Sequence, residues 1–462
     1  MKTVTDRNGV RYELTHQIGR GGQGAVWAVK GGRLAVKIVP GGNEARRDRL
    51  RNQLSYVRRL PLASLCLAKP LELLREPHTG YVMELLRDMQ PIEKLFVPDR
   101  GASPTVEWYL RGGSLRRRLT LLGRTAQVLA QLHGKGLAYE DPSPQNVFVS
   151  SDSEQHEVWL IDTDNLQYDS APGLAVFTPG YGAPELVDRK AGASTLSDSY
   201  AFAVIAHQTL VLAHPFVGDR VNDGPPELEE QAFAGELPWI DDPHDDSNRA
   251  QFGVPRGWVL SKRLSELFER EFCAGRSDPR ARPGMSEWAE RLYTAADSNL
   301  TCPKCAATYY FDQETCPWCD EVRPAFAVAR FLLFDPKAND GAGGCVQRPQ
   351  GEKKAPRVVG HGLVAEGDLL TISRRLAFGT SDGPIHEPVV SVKLKGNRLR
   401  IRSLDGARYR LVGAASGKES EVGEAEKTLA FIKQRQPWTL HFGKSDTLHR
   451  VVSFSLRSRG EA

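Results

Sequence analysis

The chain has 462 residues, 40% hydrophobic and 26% charged, an ordinary composition for soluble globular protein and too much for one compact core. A net charge of +4 is too small to demand nucleic acid or an anionic membrane as partner. No apolar run reaches the roughly 18 residues of a membrane span, Tyr200 to Phe216 being broken by His207, Gln208 and His214.

In chain order, the polar opening Met1, Lys2, Thr3, Asp6, Arg7 argues against a signal peptide. Val10 to Ile18 predicts a strand, followed by a glycine cluster, a strand at Ala25 to Val29, a Gly31-Gly32 turn and a strand at Leu34 to Val39. Asn43 to Leu60 has helical spacing through Leu50, Leu54 and Val57, and Pro61 stops it. Tyr81 to Leu86 is a further strand. From Ser114, read as an N-cap, the residues Leu115, Leu119, Leu122, Ala126, Leu129 and Leu132 make one helical stripe ending near Gly134 and Gly136. Short strands follow at Val147 to Val149 and Val158 to Ile161, and the chain is then mostly helical to about Ser298. Thr301 to Glu321 is a small unit built on cysteines. Ala338 to Arg357 is rich in Gly, Pro and Lys and predicts a linker. Alternating runs beyond it predict short strands at Leu369 to Ile372, Val389 to Leu394, Leu399 to Ile401, Tyr409 to Val412, Trp438 to Phe442 and Val451 to Leu456. One helix is expected among them, about Glu424 to Gln434.

The chemistry starts with Gly19-Arg20-Gly21-Gly22-Gln23-Gly24-Ala25-Val26, a loop free enough of side chains for its N–H groups to approach phosphates. Alone, it is equally a flexible hairpin turn. Lys37, on the next strand, can neutralise phosphate charge, although a lone strand lysine is commonly just solvated. Asp141 and Asn146 lie five apart before the strand Val147 to Val149. They offer a carboxylate to orient an attacking hydroxyl and an oxygen ligand for magnesium. Asp162 ends the strand Leu160-Ile161, where it can bridge metal and phosphate. Ala183-Pro184-Glu185 closes a loop of about two dozen residues.

These ordered motifs resemble the eukaryotic-like (Hanks-type) protein kinases of bacteria, over roughly residues 10 to 298. The resemblance implies an α+β class: a bilobal kinase fold with a β-rich N-lobe at 1–86 and a helical C-lobe at 87–298. It implies ATP with Mg2+ or Mn2+ as metal, and serine or threonine of a protein as acceptor. Asp141, Lys37, Ser143 and Thr178 then form the catalytic set. Gly19, Gly21, Gly22, Gly24, Val26, Ala35, Lys37, Glu84, Leu86 and Phe148 bind the nucleotide, with Val26, Ala35 and Phe148 about the adenine and Met83 to Leu86 as hinge. Asn146 and Asp162 hold the metal. Asp198, in Ser197-Asp198-Ser199-Tyr200, braces the catalytic loop, and Arg282 pairs with Glu185.

The chain departs from that pattern in several places. Tyr139 and Glu140 replace the usual histidine and arginine, so a phosphorylated activation loop would be repelled; Tyr168, Ser170 and Thr178 lie in that segment. Ser143 replaces a lysine. Asp164, two residues after Asp162, reads as an added metal ligand or as a solvated loop carboxylate. No acid lies in Arg51 to Val57, where a helix glutamate should pair with Lys37. Gln53 is the nearest substitute, and Glu44 or Asp48 would need a shifted helix.

Cys302-Pro303-Lys304-Cys305 and Cys316-Pro317-Trp318-Cys319 are two C-x-x-C knuckles, the four-sulfur set that structural Zn2+ prefers, with a redox pair as rival. A zinc ribbon at 299–323 is expected, then a linker or long loop at 324–357 and a β-rich interaction domain at 358–462. Only Lys304 and Arg323 lie near the knuckles, so no nucleic-acid role is expected. Cys66, Cys273 and Cys345 stand alone, as in a reducing compartment, so a cytoplasmic location is expected. Together with Tyr139 to Asn146 and Leu160 to Leu166, the knuckles resemble the kinase of a tellurite-resistance-associated bacterial stress triad. That resemblance implies a von Willebrand A domain protein and a metal-dependent protein phosphatase as partners. Two other functions fit the sequence: a pseudokinase scaffold, or a protein whose main work lies in the zinc and β modules.

Overall fold

The computed structural model describes residues 2–21, 24–40, 43–98, 104–169, 177–336, 357–379, 384–413 and 416–459. Gly22, Ser170, Cys345 and nearly all of the Ala338 to Arg357 stretch lie outside the described residues. The chain divides into two compact units, residues 1–113 with 117–293, and residues 114–116 with 294–462.

The first unit opens with β1 (Lys2–Thr5), β2 (Arg11–Gly21), β3 (Gly24–Val29) and β4 (Leu34–Val39). Gly31 and Gly32 turn β3 into β4 at φ +99° and +67°, left-handed values that glycine adopts without strain. Helix α1 (Glu44–Val57) follows, with the Asn43 side chain accepting from the Arg46 N–H at 2.9 Å as its cap. With β5 (Glu72–Leu73) and β6 (Thr79–Glu84), the strands form one antiparallel sheet of order β1-β2-β3-β4-β6-β5. Period-two alternation splits its faces: Leu14, Val29, Val36 and Val82 pack on one side, and Tyr81 packs with Leu54 of α1 on the other.

After β7 (Met89–Pro91) and α2 (Val106–Arg111), α3 (Ser114–His133) buries the predicted stripe Leu119, Leu122, Ala126, Leu129 and Leu132. Its cap is Gly113, at φ +87°, so Ser114 is the first helical residue and not the cap its side chain suggested. The short strands β8 (Leu137–Ala138), β9 (Val147–Ser150), β10 (Val158–Leu160) and β11 (Gln167–Tyr168) form the ladders β10-β9-β7 and β11-β8. Past α4 (Pro184–Val187) runs α5 (Thr195–Val211), opened by a reciprocal cap between Ser194 and Ser197 and buried on nearly every side. Among the described residues no helix is long and apolar enough to cross a membrane.

In the second unit β12 (Asn299–Thr301) pairs with β13 (Thr308–Tyr310) beside the cysteines. Among the described residues ten further strands follow: β14 (Phe326–Phe334), β15 (Val358–Ala365), β16 (Leu369–Ser373), β17 (Pro388–Lys395), β18 (Arg398–Ser403), β19 (Tyr409–Gly413), β20 (Glu419–Val422), β21 (Lys427–Ala430), β22 (Trp438–His441) and β23 (His449–Arg457). They make two antiparallel sheets, β15-β14-β23-β22-β19-β20 and β16-β17-β18-β21, which share one core. Two expectations are corrected. The linker set at 324–357 contains β14, whose Ala327, Ala329 and Phe331 are fully buried and which pairs with both β15 and β23. The helix at Glu424 to Gln434 is instead strand β21 and a turn. Leu429 and Phe431 are buried two apart, so core packing on β18 overrides the helix preference of Glu424, Glu426 and Lys427.

Candidate active site

On β4, alternation sends Val36 into the sheet core and Lys37 to the opposite face, opposite Val26 of β3. Lys37 is only 6% exposed, and a buried ammonium keeps its proton only with anionic neighbours. Two carboxylates supply them. Asp162 Oδ1 is in direct contact with Lys37 Nζ, and Asp164 Oδ2 accepts from it at 2.6 Å. Burial alone would lower the lysine; Asp164 and then Asp162 outweigh it and hold the group above its ordinary range. This corrects two expectations. Asp164 is 5% exposed and not a solvated loop carboxylate. Gln53 donates its amide to the Leu166 carbonyl at 3.3 Å and does not stand in as the partner of Lys37.

The β9–β10 hairpin sets the rest. Val147 pairs with Leu160, and the Ile161 N–H bonds the Asn146 carbonyl at 2.9 Å, bringing Asn146 beside the residue preceding Asp162. Asn146 Nδ2 in turn donates to the Asp141 carbonyl at 3.1 Å and to Asp141 Oδ2 at 3.4 Å. Asp141 Oδ1 accepts from the Thr178 N–H at 2.8 Å and from its hydroxyl at 2.9 Å. Burial pushes the Asp141 carboxyl up, and the Thr178 hydrogen bonds partly oppose the shift. The loop is braced from α5: buried Asp198 accepts from the N–H groups of Tyr139 at 2.7 Å and Glu140 at 2.9 Å, and its Oδ2 lies 3.0 Å from His133 Nε2. The Tyr139 hydroxyl bonds the Ile161 carbonyl, a tie that the departure from histidine did not suggest. Glu140 is buried, and burial followed by the Asp198 charge pushes it up to about 8.

The remaining assigned residues lie on β2 to β4, at and beyond the end of β6, on β9 and in the loop before it. No atom lies within 4 Å of where a Cβ would stand at Gly19 or Gly21, whereas at Gly24 a Cβ would come to 2.6 Å from the Ile38 carbonyl oxygen. Gly19 and Gly21 thus have room around them, whereas Gly24, at φ +146°, packs against the backbone of β4. Ala35 is buried opposite Met83, Glu84 ends β6 exposed, Leu86 follows half-buried, and Phe148 on β9 pairs with Pro91. Ser143 is buried, and its carbonyl accepts the Asn146 N–H at 2.9 Å, so it shapes the turn carrying Asn146. Farther along, Arg282 makes a bidentate pair with Glu185, both bonds 2.7 Å. The sequence did not signal the second acid there, Glu271, fully buried with Oε1 3.6 Å from Arg282 Nε.

In the second unit the sulfurs of Cys302, Cys305, Cys316 and Cys319 lie within 4.8 Å of one another, with Cys302–Cys319 at 3.5 Å and Cys305–Cys316 at 3.7 Å. Tetrahedral zinc with thiolate bonds of about 2.3 Å needs sulfur separations of about 3.8 Å, so the four residues fit that ion.

A buried strand lysine paired with a strand-end aspartate, and a loop aspartate bonded to its asparagine on the adjoining hairpin, are the parts used by folds that pass a phosphoryl group from nucleotide to hydroxyl. The family model described as the protein kinase domain matches residues 12–294, more than half of the chain. The chain belongs to the protein kinase family, whose members use ATP and Mg2+. It is 34% identical over 132 residues to the serine/threonine-protein kinase pkn2 of Myxococcus xanthus, covering 26% of this chain and 15% of that protein. It is 28% identical over 261 residues to CBL-interacting protein kinase 4 of Oryza sativa subsp. japonica, covering 50% and 51%. It is 26% identical over 266 residues to the DNA damage-responsive serine/threonine-protein kinase RqkA of Deinococcus radiodurans, covering 55% and 37%. The chain thus spans between 15% and 51% of the length of these curated relatives.

Proposed function

We propose that the chain is a protein kinase that transfers the γ-phosphoryl group of ATP to a serine or threonine hydroxyl of a protein partner or of itself. The observation that carries the reading is the unbroken run of contacts from Lys37 through Asp162, Ile161, Asn146 and Asp141 to Thr178. Gly19, Gly21 and Gly24 offer N–H groups to the phosphates, and Lys37 offers its charge. Asn146 and Asp162 would hold Mg2+ or Mn2+, which when bound neutralises the charge on the phosphates. Asp141 orients the incoming hydroxyl and takes its proton as the new O–P bond forms and the bond to the β-phosphate bridge breaks. Val26, Ala35, Glu84, Leu86 and Phe148 would surround the base. Ser143 acts through the loop turn it shapes, and Thr178 by holding Asp141.

The test is transfer of labelled γ-phosphate to a generic protein or to the chain itself. Label that persists unchanged in Asp141→Asn would exclude the mechanism. The pseudokinase alternative rests on the missing helix glutamate and on Ser143, and Mg–ATP binding without transfer would favour it.

The finer parts of the reading have their own support. The four cysteines fit a structural zinc ribbon, and the sandwich of β14 to β23 suits an interaction module. A cytoplasmic role in bacterial stress signalling, with a von Willebrand A domain protein and a metal-dependent phosphatase as partners, rests on the resemblance of Tyr139 to Asn146, Leu160 to Leu166 and the two knuckles. Co-purification tests it.

A further inference from the structure

We infer that Asp164 is the positioning residue for Lys37, doing from the metal loop what a helix glutamate does elsewhere in the fold; this rests on the kinase reading above. The acids of α1 are Glu44 and Asp48. Both are exposed, and Asp48 faces Arg51 at 3.5 Å. The helix nevertheless lies against the loop, because Gln53 reaches the Leu166 carbonyl. It therefore stands where a glutamate could serve, but contributes a neutral amide spent on the backbone.

Asp164 fills the gap. Its side chain is 6% exposed against 8% for Lys37, and the two meet at 2.6 Å, a charge-assisted hydrogen bond away from water. It sits in the tight turn Thr163–Asn165, anchored by the Thr163 hydroxyl on the Ala68 carbonyl at 3.3 Å. The turn separates the labour of the two acids. Asp162 is the acid that would hold the metal, while Asp164 holds Lys37 in place through its 2.6 Å contact.

The experiment measures KM for ATP, kcat and the half-saturating Mg2+ concentration for Asp164→Asn, Asp164→Ala and the double variant Asp164→Ala with Gln53→Glu. Thermal unfolding reports whether each folds, and titration with a fluorescent ATP analogue reads nucleotide binding apart from transfer. Loss of a charge-assisted bond predicts a roughly ten- to hundredfold fall in kcat/KM for ATP and weaker analogue binding, with an unchanged Mg2+ requirement. Gln53→Glu should recover part of that loss by restoring a helix carboxylate. Unchanged kcat/KM in a folded Asp164→Asn protein overturns the inference. So does a shift confined to the Mg2+ requirement, which would make Asp164 a metal ligand. Absence of Asp141-dependent transfer in the unsubstituted chain would sink the kinase reading instead, and the analogue titration would still decide the role of Asp164.

Discussion

Asp141 and Thr178, thirty-seven residues apart, are joined by two hydrogen bonds to one carboxylate oxygen, from the N–H at 2.8 Å and from the hydroxyl at 2.9 Å. The pair ties the loop carrying the proposed base to the segment that precedes Ala183-Pro184-Glu185. Thr178→Val keeps the backbone bond and removes the hydroxyl. It is expected to lower kcat roughly three- to tenfold, whereas Asp141→Asn should lower it on the order of a hundredfold or more. Steady-state phosphate transfer measures both. Equal losses would mean that Thr178 does more than hold the base.

Asp198 holds the same loop from beneath. Asp198→Asn replaces one acceptor oxygen by a donor facing the N–H groups of Tyr139 or Glu140, at a cost of roughly 1–3 kcal/mol. Urea unfolding reads the loss of stability, and a parallel loss of transfer would mark the bracing of the catalytic loop.

Glu271 should make stability depend on pH. Burial lifts its carboxyl from 4.5 to about 8, Arg282 opposing. Below about 4.5 it is protonated in both states and its contribution is fully present. As the pH rises the unfolded chain releases its proton first, so stability falls until the folded group ionises near 8. The slope is at most about 1.4 kcal/mol per pH unit. Glu271→Gln removes it, so the stability of the variant relative to the native chain should climb between pH 4.5 and 8. Glu140, lifted in the same direction, leaves a residual slope in the variant. Parallel unfolding profiles would show that Glu271 keeps its charge.

Metal analysis should find about one zinc ion per chain. Cys302→Ser or a strong chelator should remove it and lower the unfolding temperature of the second unit, with tryptophan fluorescence at Trp318 as the readout. Metal-free protein with an unchanged transition would favour the redox alternative.

Phe331 tests the reassignment of the expected linker. Fully buried on β14, it should cost roughly 3–5 kcal/mol when changed to Ala. A residue in a true linker would cost almost nothing.

Much of this protein can be read along the chain because its signals are local. The Leu119, Leu122, Ala126, Leu129 stripe is written in helical period, the Gly31-Gly32 turn in backbone freedom, and the four-cysteine cluster in the spacing of two knuckles. Asp141, Asn146 and Asp162 stand out because the proposed phosphate transfer would need their chemistry in that order. What tertiary structure alone decided is which groups meet. Whether Asp164 faced water or Lys37 depended on how the turn after β10 packs beneath the sheet, and whether Gln53 reached the lysine depended on where α1 rests. Phe326 to Phe334 became a central strand, and Lys427 to Ala430 an edge strand, because two sheets needed their apolar faces covered. Composition and spacing carry local propensity; partner choice and burial are properties of the folded whole, where removing a charge or an apolar side chain from water outweighs preferences the isolated segment expresses.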